Sequence, residues 1–218
     1  MLGSMRSFLQ GHPDPAIRSY VWGFVCHYSL DCTAHPYINW LAQELVKQRP
    51  WETPSTMHGE IEGALDAIVL RYETGKLPSE VNLKAMFPKN EGVQRKIARL
   101  YRQVLFDLYG EDVQEEKLVQ AMADAHQVFA LVTDRTGLKK KLFSWVERNR
   151  PSVIGSHIVP LTEAEDIDYA NTILNPGEEG SCQSFFELYG EAQGVAGRIL
   201  SGFLEGDLSA LTGEKPFG

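Results

Sequence analysis

The sequence predicts an all-α fold, a single-domain multi-helix bundle over residues 1–218, and three observations carry that expectation. Apolar residues recur at three- and four-residue steps through most of the chain, the period of a half-buried helix. Proline and glycine cut those stretches into helix-sized lengths. No two alternating apolar runs stand close enough to pair as a sheet. At 218 residues with 43% hydrophobic side chains, the chain is long and apolar enough for one core, which commonly serves up to ~250 residues.

In chain order, His12-Pro13-Asp14-Pro15 is a helix start, with Asp14 placed to cap and Pro15 at a first position where its missing N–H costs nothing. The helix should run to about Cys32. Proline pushes its predecessor away from α geometry, so His35-Pro36 predicts a break, after which Tyr37 to Lys47 resumes as a second helix. Trp51 to Pro54 reads as a linker. Ser55 or Thr56 can cap the next helix, which continues to about Tyr72 before Gly75 ends it. Further helices are expected at 91–109, 114–135, 138–149 and 183–205. Ser152 to Pro160 has the apolar content of an extended segment, Thr162 to Ile173 that of a short helix, and Asn175 to Gly180 that of a turn.

Charge narrows the function classes. The 29 acidic and 21 basic side chains leave a formal net charge of -8, which repels phosphate backbones at long range, so nucleic acid is an unlikely partner. A basic stretch of Lys139, Lys140, Lys141, Arg148 and Arg150 is interleaved with Leu142, Phe143, Trp145 and Val146 at helical spacing. It reads as a solvated helix face in preference to a binding patch. Three cysteines, Cys26, Cys32 and Cys182, cannot all pair with one another, so reduced thiols are expected. With no signal-peptide core and no run of ~18 apolar residues to span a membrane, the expected location is cytoplasmic.

The segment that carries chemistry is G-F-V-C-H-Y-S-L-D-C-T-A-H-P-Y, residues 23–37. Residues four apart share a helix face, so His27 and Asp31 can reach one ion, with His35 arriving from the following turn. The next helix repeats the step with His58, Glu62 and Asp66, and leaves Glu60 off that face. Imidazoles and carboxylates in such a set suit zinc and related divalent ions. For one helix alone, a hydrogen-bonded core histidine with a surface carboxylate partner is the simpler reading. Two adjacent helices each supplying both groups in register favour a metal site of His27, Asp31, His35, His58 and Glu62. Asp66 either orients a ligand histidine or closes the helix face. His12 is a further possible ligand just ahead of the first helix, although a loop position explains it as well. Cys26 and Cys32 adjoin ligands and so point roughly 100° away from them, which makes them packing residues.

These two motifs, H-x3-D-x3-H-P-Y at 27–37 behind Gly23 and Phe24, and H-x3-E-x3-D at 58–66, resemble the bacterial zinc-dependent phospholipase C family, whose relatives include single-strand-specific zinc nucleases. The resemblance covers about residues 7–70, with a fainter echo at Ser184 to Tyr189. It implies an all-α, phospholipase C-like domain and phosphodiester hydrolysis by a metal-activated water attacking phosphorus. By the same resemblance His35, His58 and Glu62 hold one zinc ion, His27 binds a second, and Asp31 is a catalytic-site carboxylate bridging the second ion to a third. The family's remaining ligands lie upstream. Here 26 residues precede His27, with His12 and Asp14 as their one histidine and one aspartate. The expectation is therefore an N-terminally shortened homologue with one zinc ion, or two or three were the missing ligands supplied. Its substrate would be a phosphodiester or phospholipid. The alternative is a non-catalytic, metal-stabilised helical domain.

Overall fold

A computed structural model describes residues 1–82, 85, 90–161, 168–170 and 183–215. Eight α-helices lie among these residues, with no strand: α1 (Leu2–Gly11), α2 (Pro15–Gln48), α3 (Pro54–Thr74), α4 (Glu91–Tyr109), α5 (Glu115–Val132), α6 (Leu138–Val146), α7 (Phe185–Gly202) and α8 (Leu208–Thr212). The fold is all-α, as the periodicity predicts. The chain divides into two compact units, one of Met1–Thr33, Pro88–Gln127 and Tyr189–Gly218, the other of Ala34–Phe87 and Val128–Leu188.

In the first unit α1, which nothing in the sequence reading anticipates, buries Leu2, Met5 and Leu9 at helical spacing. They join Ile17, Val21, Val25 and Tyr28 of α2, Leu100 and Val104 of α4, and Ile199 and Phe203 in one apolar cluster. Full burial of such side chains contributes about 1.5–3 kcal/mol each, which is what makes a ten-residue helix without an N-terminal side-chain cap tenable. Polar contacts then fix its position. Arg6 donates to the Gly206 carbonyl at 2.7 Å and Gln10 to that of Leu204 at 2.9 Å.

The start of α2 follows the sequence reading: the Ala16 and Ile17 N–H groups donate to Asp14 Oδ1 at 2.8 and 3.3 Å. The break at His35-Pro36 does not occur, because α2 continues through Pro36 to Gln48. Proline cannot supply the N–H that a helix directs to the carbonyl four residues earlier, here Cys32, at a cost of ~3 kcal/mol. Burial of Tyr28 before the proline, and of Ala34, Tyr37 and Ile38 around it, offsets that loss by holding both flanks in place. The Ser29 and Thr33 hydroxyls bond back to the carbonyls of Val25 and Ser29, each at 2.8 Å, and so add side-chain bonds to the turns leading into the weak point.

In the second unit, α3 is capped two to three residues earlier than expected. Thr53 is the N-cap, Pro54 takes the first helical position, and Thr56 returns the reciprocal capping-box bond. Gly75 ends the helix in the left-handed region at φ 71°, as expected of a glycine placed there. The 152–160 stretch is not extended throughout, for Gly155–His157 forms a single 3-10 turn packed on α3. The approach is close because Gly59 has no side chain; a Cβ there would lie 3.1 Å from His157 Cε1.

Glu52 ties that segment to the start of α3. The Ser152 N–H and hydroxyl donate to its carboxylate at 2.9 and 2.7 Å, and the Thr56 hydroxyl at 2.8 Å. Burial alone would raise its pKa, but these bonds outweigh it and hold the carboxyl below the usual 4.5. A depressed carboxylate contributes stability that is complete above the unfolded-state pKa and fades as pH falls through the folded one. Glu52→Gln should therefore cost about 1–3 kcal/mol near neutral pH, with the gap to wild type closing below about pH 4.5. Urea denaturation of both proteins across pH 3–7 reads this, and a gap independent of pH would refute it.

The remaining helices match their expected spans to within a few residues at the N-terminal ends: α4 and α5 begin at Glu91 and Glu115, α6 and α7 at Leu138 and Phe185. Of the basic stretch, Lys141, Arg148 and Arg150 are solvated as expected. Lys139 and Lys140 are not, being spent on backbone. Lys139 Nζ donates to the carbonyls of Ala130, Leu131 and Thr133 at the end of α5, and Lys140 Nζ to that of Gly155. Most of the expected 162–173 helix, all of the 175–180 turn, and Cys182 lie outside the described residues.

Candidate metal centre

The second half of α2 and the first half of α3 carry the site. On α2, His35 and Asn39 are one turn apart, with Tyr37 and Ile38 buried between them. On α3, burial of Met57, Ile61, Ala64 and Leu65 sets the roll of the helix and leaves His58 and Glu62 at the edge of the packed surface. Glu60 is taken up elsewhere. It accepts from Arg49 and from the Tyr169 hydroxyl, both at 2.8 Å, while the Tyr37 hydroxyl donates to the Tyr169 carbonyl. Glu60 is thus off the ligand face, as the spacing predicts.

His35, His58 and Glu62 converge. His58 Nε2 lies 3.1 Å from Glu62 Oε1 and His35 Nε2 lies 3.5 Å from the same atom, with each donor within 4.8 Å of the others. A zinc ion with ligand bonds of about 2.0–2.1 Å separates tetrahedral donors by ~3.3 Å, so two edges of the triangle already match that spacing. The His35 and His58 rings meet at 77°, centroids 5.1 Å apart, an edge-on arrangement that lets both nitrogens aim at one point. Side-chain exposures of 16%, 25% and 47% leave solvent access on the Glu62 side. Two imidazoles and a carboxylate with one open position are the donor set of a catalytic zinc site, so the residues present fit the ion.

Asn39 is the candidate site residue that the sequence reading misses. Its Oδ1 lies 3.0 Å from His58 Nδ1. With the proton on Nδ1 donating to Asn39, Nε2 keeps its lone pair toward Glu62, the outer-shell arrangement that fixes tautomer and ring orientation in metal sites. The signal was present in the spacing, since Asn39 follows His35 by four residues. Asn39→Ala should weaken zinc binding about 10–100-fold while leaving its stoichiometry intact, as read by competition with a chromogenic chelator. Unchanged affinity would remove Asn39 from the site. An open pocket of about 460 Å³ borders the centre, lined by Asn39, Ala42, Gln43, Pro54, Ser55 and His58.

Asp66 lies one turn beyond Glu62. Its carboxyl is pushed up to about 6, first by desolvation and then by the Glu62 charge. A cation between His35, His58 and Glu62 would relieve the repulsion.

His27, Asp31 and His12 are the other candidates. His27 Nδ1 is 3.6 Å from Asp31 Oδ1, with His27 largely exposed and Asp31 largely covered. Both belong to the first unit. Among the described residues, His35, His58 and Glu62 are the group in which three donors come within reach of one ion. His12 stacks on Phe8 at 4.7 Å and its Nδ1 lies 3.3 Å from the Phe8 carbonyl, at the end of α1. Cys26 is exposed and Cys32 partly covered, and neither is in a disulfide. No helix among the described residues is long and apolar enough to cross a membrane. The chain matches no family model, no curated protein and no solved structure.

Proposed function

We propose that the chain is a zinc-dependent phosphodiester hydrolase of phospholipase C type, with its ion held by His35, His58 and Glu62. The observation that carries this reading is the convergence of those three side chains at zinc-like spacing. The two ligand motifs and their resemblance support the reaction class. A zinc ion held there would supply Lewis acidity and activate water at neutral pH.

The chain's own residues do the rest. Asn39 holds the His58 ring, and Glu62 presents the exposed edge of the triangle, on the side from which a phosphate can approach. Asn39, Gln43 and Ser55 offer hydrogen bonds to the organic part of a substrate, with Ala42 and Pro54 as apolar wall. Asp31, beside His27, is the carboxylate that the family pattern assigns to further ions. A chromogenic phosphodiester should be hydrolysed by the zinc-loaded protein and not after His35→Ala/His58→Ala. Absence of turnover at every zinc loading would sink the enzyme reading.

A second reading is favoured by one observation: the three donors that come within reach of one ion are supplied by α2 and α3 alone. A single ion would then serve chiefly to tie α2 to α3, stabilising the fold outright. Chelation lowering the thermal midpoint, without turnover at any loading, distinguishes it.

A further inference from the structure

The short helix α6 is turned the wrong way for a core helix. Leu138, Leu142, Trp145 and Val146 follow one another at steps of four, three and one residues, which places them within about 100° of arc on one face. That face should be the buried one. Instead these side chains are 67%, 56%, 73% and 55% exposed, and α6 buries no residue. The opposite side meets the protein, with Lys140 reaching the Gly155 carbonyl and Phe143 partly covered. Val153 and Ile154, just beyond the helix, extend the apolar surface.

Charge around the stripe is mainly positive. Lys141, Arg148 and Arg150 are exposed, and no ion pair with a described residue engages them. Glu147, the one acid between 138 and 150, is occupied in accepting the N–H groups of Ile154 and Gly155 at 2.8 and 2.9 Å. A cationic rim on a chain of net charge -8 is a local feature that overall composition conceals. A second copy docking on this stripe would bring like charges together. The stripe also lies along the exposed side of a helix that buries no residue.

We propose that α6 docks on an anionic lipid bilayer surface, with Trp145, Leu142 and Leu138 entering the headgroup boundary and Lys141, Arg148 and Arg150 pairing with anionic headgroups. This stands whether or not the metal centre is catalytic.

The test is co-sedimentation of the full chain with vesicles of phosphatidylcholine alone and of phosphatidylcholine with phosphatidylserine. Binding is expected only to the anionic vesicles and should weaken with salt. Leu142→Glu/Trp145→Glu should lower the partition constant at least about tenfold; both side chains are exposed, and circular dichroism checks the helix content. Lys141→Ala/Arg148→Ala, which keeps the apolar stripe, should lower it about fivefold per residue. Four results would overturn the proposal. They are no binding by the wild type, equal binding by either variant, a lipid-free dimer that Trp145→Glu dissociates, or a Trp145 shielded from a soluble quencher in the free protein.

Discussion

Zinc added to the metal-free protein should bind one ion per chain, and His35→Ala/His58→Ala should abolish that binding. The reason is stoichiometric. The triangle has three protein donors, and the double variant leaves only the Glu62 carboxylate, which is 47% exposed and hydrated in competition with any ion. Its loss should exceed the ~10–100-fold expected for an outer-shell residue such as Asn39. Since a ligand that binds only the folded state stabilises it by about 2.7 kcal/mol at a hundredfold excess over Kd, zinc should also raise the thermal midpoint of the wild type and leave the double variant unmoved. His27→Ala is the discriminating control. Isothermal titration should show the first ion unaffected, because His27 pairs with Asp31 in the other unit. Equal loss of that ion in His27→Ala would instead favour a single five-residue site.

Phe203→Ala should destabilise the protein by about 3–5 kcal/mol. Phe203 is fully buried in the cluster of the first unit, and Trp22 meets it edge-on at 5.5 Å and 65°. Truncation removes the transfer energy of the ring, the aromatic pairing worth about 0.5–1.5 kcal/mol, and leaves a void that α1, α2 and α4 cannot all close. Phe203→Leu keeps most of the volume and should cost less than half as much. Urea denaturation measures both variants. A loss below about 1 kcal/mol for the alanine variant would mean that Phe203 does not anchor this core.

What was legible in the sequence was local. Asp14-Pro15 starts α2 and Gly75 ends α3 because caps and left-handed turns depend on residues within one helical turn. The His35, His58 and Glu62 donors were visible for a related reason, since a four-residue step on each helix already places ligands on one face. Their convergence across two helices needed the fold, as did the Asn39 contact to His58, made between residues 19 apart. The Pro36 break was a sound local inference that tertiary burial overrode, with Tyr37 and Ile38 immediately beyond the proline held in the packed interior. Helix α1 had no capping signal and owes its existence to partners more than 90 residues away, Leu100 and Val104. On α6 the periodicity revealed an apolar stripe but not which side would face water. Sequence by itself determined the helical class, most helix ends and the donor types. Only the tertiary structure decided which faces are buried, which donors meet and where the apolar side of α6 points, because burial and convergence depend on residues distant in the chain that no single turn of helix contains.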